Sequence, residues 1–247
     1  MKGIFCISID TELLWGRKDL DYSAFVNRTK KERKIIREFI RLFSRYNIPV
    51  TWAIVGKLYE DGGRLWSGKD IISWIKKEKI HELASHSYSH EDFANIDKNK
   101  ANLEFSKPKG YSFVFPRNHI RYLGLLRRNG FKAYRDKDKF RHELLLPKIP
   151  YTGKAIRQGG LVKIPSSMYF VSARGWRRYI PRGLRFLKCK LGIDQAIRRG
   201  EIFHIWFHPV DFADNTTGLM KEFEMILAYA YRKRGENKLD IMRMSDI

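Results

Sequence analysis

The stretch IFCISIDTE, residues 4–12, decides the fold class of this 247-residue chain. Its first six residues have strand character and run directly into a polar end that carries two carboxylates. An apolar run of this length is typical of a buried strand in a parallel sheet, where functional groups gather at the carboxyl ends. Ile48 to Val55 form a second run of the same kind. The start of the chain therefore predicts a parallel α/β sheet.

Strands and helices alternate along the rest of the sequence. Apolar residues from Ile35 to Phe43 fall at helical spacing between the first two strands, which predicts a helix there. Further strands are predicted at Leu83 to Ser85, Tyr111 to Phe115, Phe131 to Tyr134, Leu161 to Ile164, Glu201 to Phe207 and Leu239 to Met242. Further helices are predicted around Asp70 to Lys77, His119 to Arg128 and Leu219 to Arg232, with residues 135–160 irregular. This order over residues 1–247 predicts one α/β domain, as a (β/α) barrel or a doubly wound sheet.

The chain is strongly basic, with 49 Lys and Arg against 27 Asp and Glu and a formal net charge of +22. A hydrophobic content of 43% is that of a folded protein, which excludes disorder as the main state. The positive charge fits a nucleic acid, an anionic membrane surface or an anionic small substrate. A nucleic acid is not expected as a partner, because the basic residues are spread over several helices and no nucleic-acid-binding motif is present.

Hydropathy and cysteine usage bear on location. No apolar window reaches the length of a membrane-spanning helix, and the first apolar run is too short for the core of a signal peptide. We therefore expect a cytoplasmic protein. Cys6 and Cys189 lack the Cys-x-x-Cys spacing of redox and metal sites and are expected to be structural.

Polar residues concentrate where the predicted strands end. Asp10 and Glu12 follow the first strand, the stretch HSYSH follows the third at 86–90, and PRN follows the fourth at 116–118. His208 follows the strand that begins at Glu201. Because the carboxyl ends of parallel strands meet at one edge, these groups are predicted to form one site.

Two pairs of histidines in the sequence are four residues apart, His86 with His90 and His204 with His208. On a helical turn this spacing puts both imidazoles on one face, where they can hold one metal ion. In a strand, His204, Trp206 and His208 would share one face. We interpret the first pair as metal ligands and the second as a wall of the site. Asp10, with Glu12 two positions on and a metal nearby, is interpreted as a base.

Four stretches in this order resemble the motifs of the polysaccharide deacetylase family, the NodB-homology fold of carbohydrate esterase family 4. They are IDTE at 9–12, HSYSH at 86–90, FPRN at 115–118 and WFHP at 206–209. The resemblance runs from residue 4 to about residue 212, and its most specific part is the His-Ser-x-x-His element. It implies a distorted (β/α) barrel, which agrees with the strand count.

The resemblance also implies a role for each matching residue. Asp10 would be the catalytic base, His208 the general acid, and His86 and His90 ligands of a divalent metal such as Zn²⁺. Where the family has two adjacent aspartates, this chain has Thr11 and then Glu12, which makes Glu12 the candidate third ligand. The resemblance further implies that Arg117 orients the base, and Asp136 and Asp138 are the candidates for an aspartate motif that is not otherwise recognisable. The candidate substrate-binding residues of the predicted site are Trp15, Asn118, His204 and Trp206.

The activity implied is removal of acetyl groups from an N-acetylated sugar, which could be a saccharide, a glycolipid or a nucleotide sugar. Two alternatives stay open: a metal-free cyclic-amide hydrolase of the allantoinase type on the same fold, and a basic nucleic-acid-binding protein. A metal assay separates the first alternative from the deacetylase.

The segment from Arg174 to Arg199 is rich in basic residues interleaved with Trp176 and Tyr179. This composition is typical of a segment that lies on an anionic membrane surface, and equally of a solvated helix face. On the first interpretation the protein is peripheral at the inner membrane face, and its substrate is an anionic or lipid-linked saccharide.

Overall fold

The computed structural model describes residues 1–107, 110–139 and 148–247. Within these ranges ten strands form one sheet and six α-helices pack against it. The strands are β1 (Gly3–Thr11), β2 (Thr51–Ile54), β3 (Glu82–Ser85), β4 (Ser112–Phe113), β5 (Ala133–Asp138), β6 (Ile156–Gln158), β7 (Leu161–Ser166), β8 (Met168–Tyr169), β9 (Ile202–Phe207) and β10 (Leu239–Met242). The helices are α1 (Ser23–Tyr46), α2 (Lys69–Lys77), α3 (Lys98–Ser106), α4 (Leu123–Arg128), α5 (Leu184–Arg199) and α6 (Thr216–Gly235).

The sheet order is β6-β7-β5-β4-β3-β2-β1-β9-β8, with β10 beside the first half of β1. Every pairing is parallel except that of β6 with β7. The two ends of this order meet, because Gly153 forms a bridge to Ile202 and the Ser167 amide donates to the His204 carbonyl at 2.9 Å. The predicted α/β class is confirmed, and the sheet curls into a distorted (β/α) barrel.

Side chains along β1 point alternately to the two faces of the sheet, which explains why this strand carries functional groups. Phe5, Ile7 and Ile9 belong to the large apolar cluster beneath the helices, which includes the rings of α1 and α6. The intervening positions face the other side of the sheet. There Cys6 packs in a separate apolar cluster with fewer members, and Asp10 follows two positions after Ser8 with its side chain buried. One face of β1 therefore builds the core and the other supplies the site.

The observed elements differ from the predicted ones where local pattern is weak. The helix predicted from His119 starts only at Leu123, because Tyr122 takes a left-handed conformation with φ of 59°. Helix α3 was not predicted, since it buries only Ala101, Glu104 and Phe105 and shows no clear apolar stripe. The stretch predicted to be irregular contains the end of β5 and all of β6, and its residues 140–147 lie outside the described part.

No helix in the described ranges combines the length and the apolar character that a membrane crossing requires. Both cysteines are buried and unpaired, so the structural role predicted for Cys6 and Cys189 agrees with their positions. Burial raises the pKa of each thiol, which keeps both in the neutral form.

Candidate active site

A cleft of about 250 Å³ opens at the carboxyl ends of β1, β3 and β9. Most of its lining residues are polar or charged, and most of them come from the segments that directly follow these strands and β4. The lining residues are Asp10, Glu12, Gly16, Arg17, Leu20, His86, His90, Phe115, Arg117, Asn118, Arg135, Trp206 and His208. The strand-end residues of the sequence analysis therefore do meet in one place.

Three histidines converge on one carboxylate oxygen. Glu12 Oε1 lies 3.0 Å from His86 Nε2, 3.1 Å from His90 Nε2 and 3.3 Å from His208 Nε2. Burial alone would raise the pKa of Glu12, but its interactions with His208 and His90 hold it well below its usual value. Glu12 is thus an ionised, buried carboxylate surrounded by imidazoles.

The loop that carries His86 and His90 is fixed from several directions. His86 Nδ1 is 2.9 Å from the Val114 carbonyl, which orients the ring and leaves Nε2 for Glu12 or a metal. The Ser87 hydroxyl accepts the His90 amide at 3.0 Å. Ser89 donates from its amide and hydroxyl to the two oxygens of Glu104, at 2.8 and 2.6 Å. Helix α3, which supplies Glu104, therefore helps to hold the histidine loop.

Gly16 makes room for the Glu12 carboxylate. A Cβ atom at this position would lie 1.7 Å from Glu12 Oε2, which is far inside contact distance. The 3₁₀ turn Leu13–Arg17 can pass so close to Glu12 only because it carries no side chain here. Glycine is therefore a steric requirement of the Glu12 position.

His208 is held by the short helix that follows it. Asp211 Oδ2 accepts from the His208 amide at 2.9 Å and lies 3.0 Å from His208 Nδ1. Burial alone would lower the pKa of His208, but Glu12 and Asp211 raise it well above its usual value. The protonated imidazole, with Nε2 facing the cleft carboxylates, is the form these contacts stabilise.

Asp10 is bound by an arginine that the sequence analysis did not single out. Arg135 Nη1 and Nη2 donate to Asp10 Oδ1 and Oδ2 at 2.8 and 2.7 Å, and both side chains are almost fully buried. The guanidinium carbon also lies 4.4 Å from the centre of the Trp206 ring. Burial works to raise the pKa of Asp10, but Arg135 holds it below its usual value. Asp10 is therefore ionised at neutral pH.

The contact that Arg117 was expected to make with Asp10 is made by Arg135. Arg117 lines the cleft, but its Nη2 donates to Asp19 at 3.0 Å and its side chain is 38% exposed. The physical reason is that Arg117 sits in a left-handed turn with φ of 55°, after β4 has ended. Arg135 follows directly after the strand predicted at Phe131 to Tyr134. A search for polar residues at the end of that strand, as was made for the other strands, would therefore have identified it.

The other predicted substrate-binding residues separate into two groups. Trp206 and Asn118 line the cleft, and Asn118 Oδ1 accepts from Arg135 at 3.3 Å. His204 and Trp15 do not line it. Trp15 donates to the Trp66 carbonyl at 2.8 Å, so its polar group is engaged outside the cleft.

His204 is a structural residue rather than a wall of the cleft. Its side chain is fully buried, with Nδ1 2.9 Å from the Pro165 carbonyl and Nε2 2.9 Å from the Ser8 hydroxyl. Burial, together with the charge of Arg135, lowers its pKa to about 3. A neutral His204 thus links β9 to β1 and to the end of β7 beneath the site.

The aspartates considered for the missing motif have other partners. Asp138 accepts from the Trp206 ring nitrogen at 2.9 Å and from the Ser166 hydroxyl, while Asp136 pairs with Lys163 at 3.5 Å. The carboxylate that contacts Nδ1 of His208 is Asp211. Its signal in the sequence is local, since it lies three residues after His208 at the start of a short helix.

Comparison with known proteins agrees with this architecture. The family model described as polysaccharide deacetylase matches residues 27–111. The predicted resemblance to the polysaccharide deacetylase family is confirmed. No curated protein matches the sequence.

Solved structures with the polysaccharide deacetylase fold cover nearly the whole chain. A structure from Mycobacterium smegmatis assigned to these deacetylases is 16% identical, with a TM-score of 0.71 over 99% of this chain and 88% of that one. One from Pseudomonas aeruginosa PAO1 with the same assignment is 14% identical, with a TM-score of 0.66 over 98% and 88%. The PuuE allantoinase is 13% identical, with a TM-score of 0.70 over 99% and 89%. These likenesses establish the fold.

Proposed function

We propose that the protein is a metal-dependent hydrolase that removes acetyl groups from an N-acetylated sugar. The observation that carries the proposal is the convergence of Glu12, His86 and His90, whose ligand atoms all lie within 4.8 Å of one another. The polysaccharide deacetylase fold and family resemblance supply the class of substrate.

The three residues fit a divalent cation. Two neutral imidazoles and one carboxylate are the donor set of catalytic zinc sites, which leaves coordination positions free for water and substrate. Burial lowers the pKa of His90, which keeps the ring in the neutral form that a ligand requires. A divalent ion held by these residues would lower the pKa of a bound water to about 7 and would polarise the acetamide carbonyl.

The protein's own groups then move the protons. Asp10, ionised by Arg135, accepts the proton from the attacking water. His208, protonated by virtue of Glu12 and Asp211, donates a proton to the departing amine. An amine leaves poorly unless it is protonated, so an acid beside the base is what amide hydrolysis requires. His208 Nε2 lies 4.0 Å from Asp10 Oδ2, which puts the two groups at one small reaction centre.

The second candidate is a metal-free cyclic-amide hydrolase, favoured by the almost equal structural likeness to the PuuE allantoinase. The donor set of Glu12, His86 and His90 favours the deacetylase instead. A chelator distinguishes them, since it would remove the activity of a metal enzyme and leave that of a metal-free one.

The experiment is a measurement of acetate release from N-acetylated glycans, glycolipids and nucleotide sugars. We expect release with zinc present, its loss on chelation, and its recovery when the metal is restored. The His86→Ala variant should release none, whereas Arg128→Gln, at an exposed position near the end of α4, should match the wild type. Ring opening of allantoin that persists in chelator, with no acetate released from any sugar, would overturn the proposal.

We further propose that the turn Gly175–Tyr179 contacts an anionic membrane surface. Trp176 and Tyr179 are 58% and 73% exposed, and Arg178 and Arg182 beside them are exposed too. Only this turn and the residues beside it remain candidates for membrane contact within the segment Arg174 to Arg199. Arg185 is not available for such a contact, because it is buried and donates to the carbonyls of residues 171 and 172. Exposed aromatic and basic side chains together favour an anionic lipid interface.

Sedimentation with vesicles tests the membrane contact. Binding should require anionic lipid, weaken as salt rises, and fall in a variant with Trp176→Ser, Tyr179→Ser, Arg178→Gln and Arg182→Gln. The matched control is Arg198→Gln with Arg199→Gln, which removes the same number of charges at the exposed end of α5. Equal partition to neutral and anionic vesicles, or equal loss in both variants, would contradict this proposal.

A further inference from the structure

Three arginine side chains converge on one aromatic ring at the side of the cleft. The guanidinium carbons of Arg17, Arg28 and Arg174 lie 5.1, 5.5 and 4.5 Å from the centre of the Phe25 ring. Arg28 and Phe25 belong to α1, Arg17 to the 3₁₀ turn after β1, and Arg174 to the segment before Gly175. The fold therefore assembles these three cations from separate parts of the chain.

The positive charge at this ring exceeds the negative charge that compensates it. Asp214 pairs with Arg28 at 2.8 Å. Arg17 donates to the Gly16 carbonyl at 2.7 Å and lies 3.6 Å from Glu12, a carboxylate already shared by three histidines. Within the described ranges, the guanidinium of Arg174 has neither an acidic partner nor a hydrogen-bond acceptor. Three guanidinium groups that each lie 5.5 Å or less from one ring centre repel one another, and a bound anion would offset that repulsion.

A fourth cation strengthens the same region. Arg177 follows Arg174 by one helical turn and donates to the Ser172 hydroxyl at 3.2 Å, with no carboxylate partner in the part of the chain described. Arg17, which lines the cleft 3.6 Å from Glu12, places the arginines beside the proposed metal site.

We propose that this arginine cluster, which is Arg17, Arg28 and Arg174 around Phe25 with Arg177 on the turn that follows Arg174, binds a phosphate group of the substrate. The substrate class is then a phosphorylated N-acetylated sugar, whose acetamide lies in the cleft while its phosphate lies on the cluster. The inference rests on the proposed function, because it names the substrate of that same site.

Guanidinium groups suit phosphate for geometric reasons. Their planar N–H donors match phosphate oxygens in pairs, and charge-assisted hydrogen bonds of this kind are among the stronger ones in proteins. The Phe25 ring holds three of the guanidinium groups by cation–π contact, so less side-chain freedom is lost when the anion binds. Arg17 connects the two halves of the site, because it lines the cleft and also contacts the ring.

Calorimetric binding to the full chain tests the cluster without relying on turnover. The probes are N-acetylglucosamine, its 1-phosphate, its 6-phosphate and inorganic phosphate. We expect at least one sugar phosphate to bind about tenfold or more tightly than the neutral sugar, and more tightly than inorganic phosphate. Arg174→Gln and Arg177→Gln should each reduce the phosphate preference by about tenfold. Arg128→Gln is the matched control and should keep it.

Equal affinity for the neutral and phosphorylated sugars, or no measurable binding of any, would overturn the inference. So would a phosphate preference that survives both arginine variants, and inorganic phosphate binding as tightly as the sugar phosphates. Acetate release separates this inference from the proposed function. Equal rates of acetate release from neutral and phosphorylated sugars would overturn the phosphate site and support the deacetylase activity. Phosphate-dependent binding with no acetate release from any sugar would support the phosphate site and overturn the deacetylase activity.

Discussion

At the scale of single residues, Asp10 and Arg135 form a buried ion pair in the lining of the cleft. Both side chains are at least 98% buried, so removing one partner leaves an uncompensated charge. We expect Arg135→Gln to lower the free energy of unfolding by about 3–5 kcal/mol. Arg117→Gln is the matched control, because its exposed pair with Asp19 contributes less than about 1 kcal/mol. Denaturant unfolding of both variants measures this, and equal losses would contradict the account.

The same ion pair fixes the direction of a pH effect. The pKa of Asp10 is lower in the folded protein than its usual value, so its contribution to stability is present above the unfolded-state pKa and is lost as pH falls through the folded-state pKa. The stability difference between the wild type and Arg135→Gln should therefore shrink at acid pH. A difference that stays constant down to acid pH would show that Asp10 is not the group involved.

Asp10 itself is expected to act on protons and not to hold the metal. The Asp10→Asn variant should lose turnover by about 10² to 10⁴-fold, because a base is removed. It should keep its metal, since Glu12, His86 and His90 are unchanged. Elemental analysis beside acetate release separates the two effects. Loss of metal from this variant would make Asp10 a ligand, and the roles of Asp10 and Glu12 would have to be exchanged.

At the scale of elements, the short helix Pro209–Phe212 positions the acid. Asp211 raises the pKa of His208, so the protonated form persists to higher pH than in free histidine. Since catalysis needs protonated His208, activity should fall as pH rises through that pKa. In Asp211→Asn the falling limb should move to lower pH while activity at acid pH is retained. A uniform loss with an unmoved limb would mean that Asp211 is only structural.

The turn Leu13–Arg17 is expected to control metal affinity through Gly16. A methyl group there would displace the Glu12 carboxylate, whose Oε2 lies 1.7 Å from the position of the added atom. We expect Gly16→Ala to weaken zinc binding by about 10 to 100-fold, as changes that misorient a ligand do. Gly63→Ala is the control, since no atom lies within 4 Å of its Cβ position. Equal zinc affinity in the two variants would contradict the proposed ligand role of Glu12.

Elements with strong periodicity could be predicted from the sequence, and weakly patterned ones could not. The apolar residues of the run at 4–12 and of the buried face of α1 recur at the spacing of a strand and of a helix. That spacing alone identifies the two elements. Helix α3 has no such stripe, and it is held instead by the Asp97 cap, whose side chain accepts from the Lys100 amide, and by tertiary contacts of Glu104. Its role in holding the histidine loop is visible only in the structure.

At the scale of the whole molecule, the expectation that functional groups gather at the carboxyl ends of parallel strands predicted where the site lies. It did not predict which residues pair there. Asp10, Glu12, His86, His90 and His208 come together from positions nearly 200 residues apart. His204 shares a strand face with Trp206, yet it is fully buried beneath the site, where its ring contacts the Pro165 carbonyl and the Ser8 hydroxyl. Closure of the barrel through Ser167 and Gly153 is a long-range effect that no local pattern encodes.

Metal content tests the central claim most directly. Wild-type protein equilibrated with zinc and then dialysed should retain about one ion per chain, measured by elemental analysis. The Glu12→Gln, His86→Ala and His90→Ala variants should each lose it, with Arg117→Gln retaining it as the folded control. Full zinc retention in either histidine variant, or no retained zinc in wild type that still releases acetate, would contradict the account.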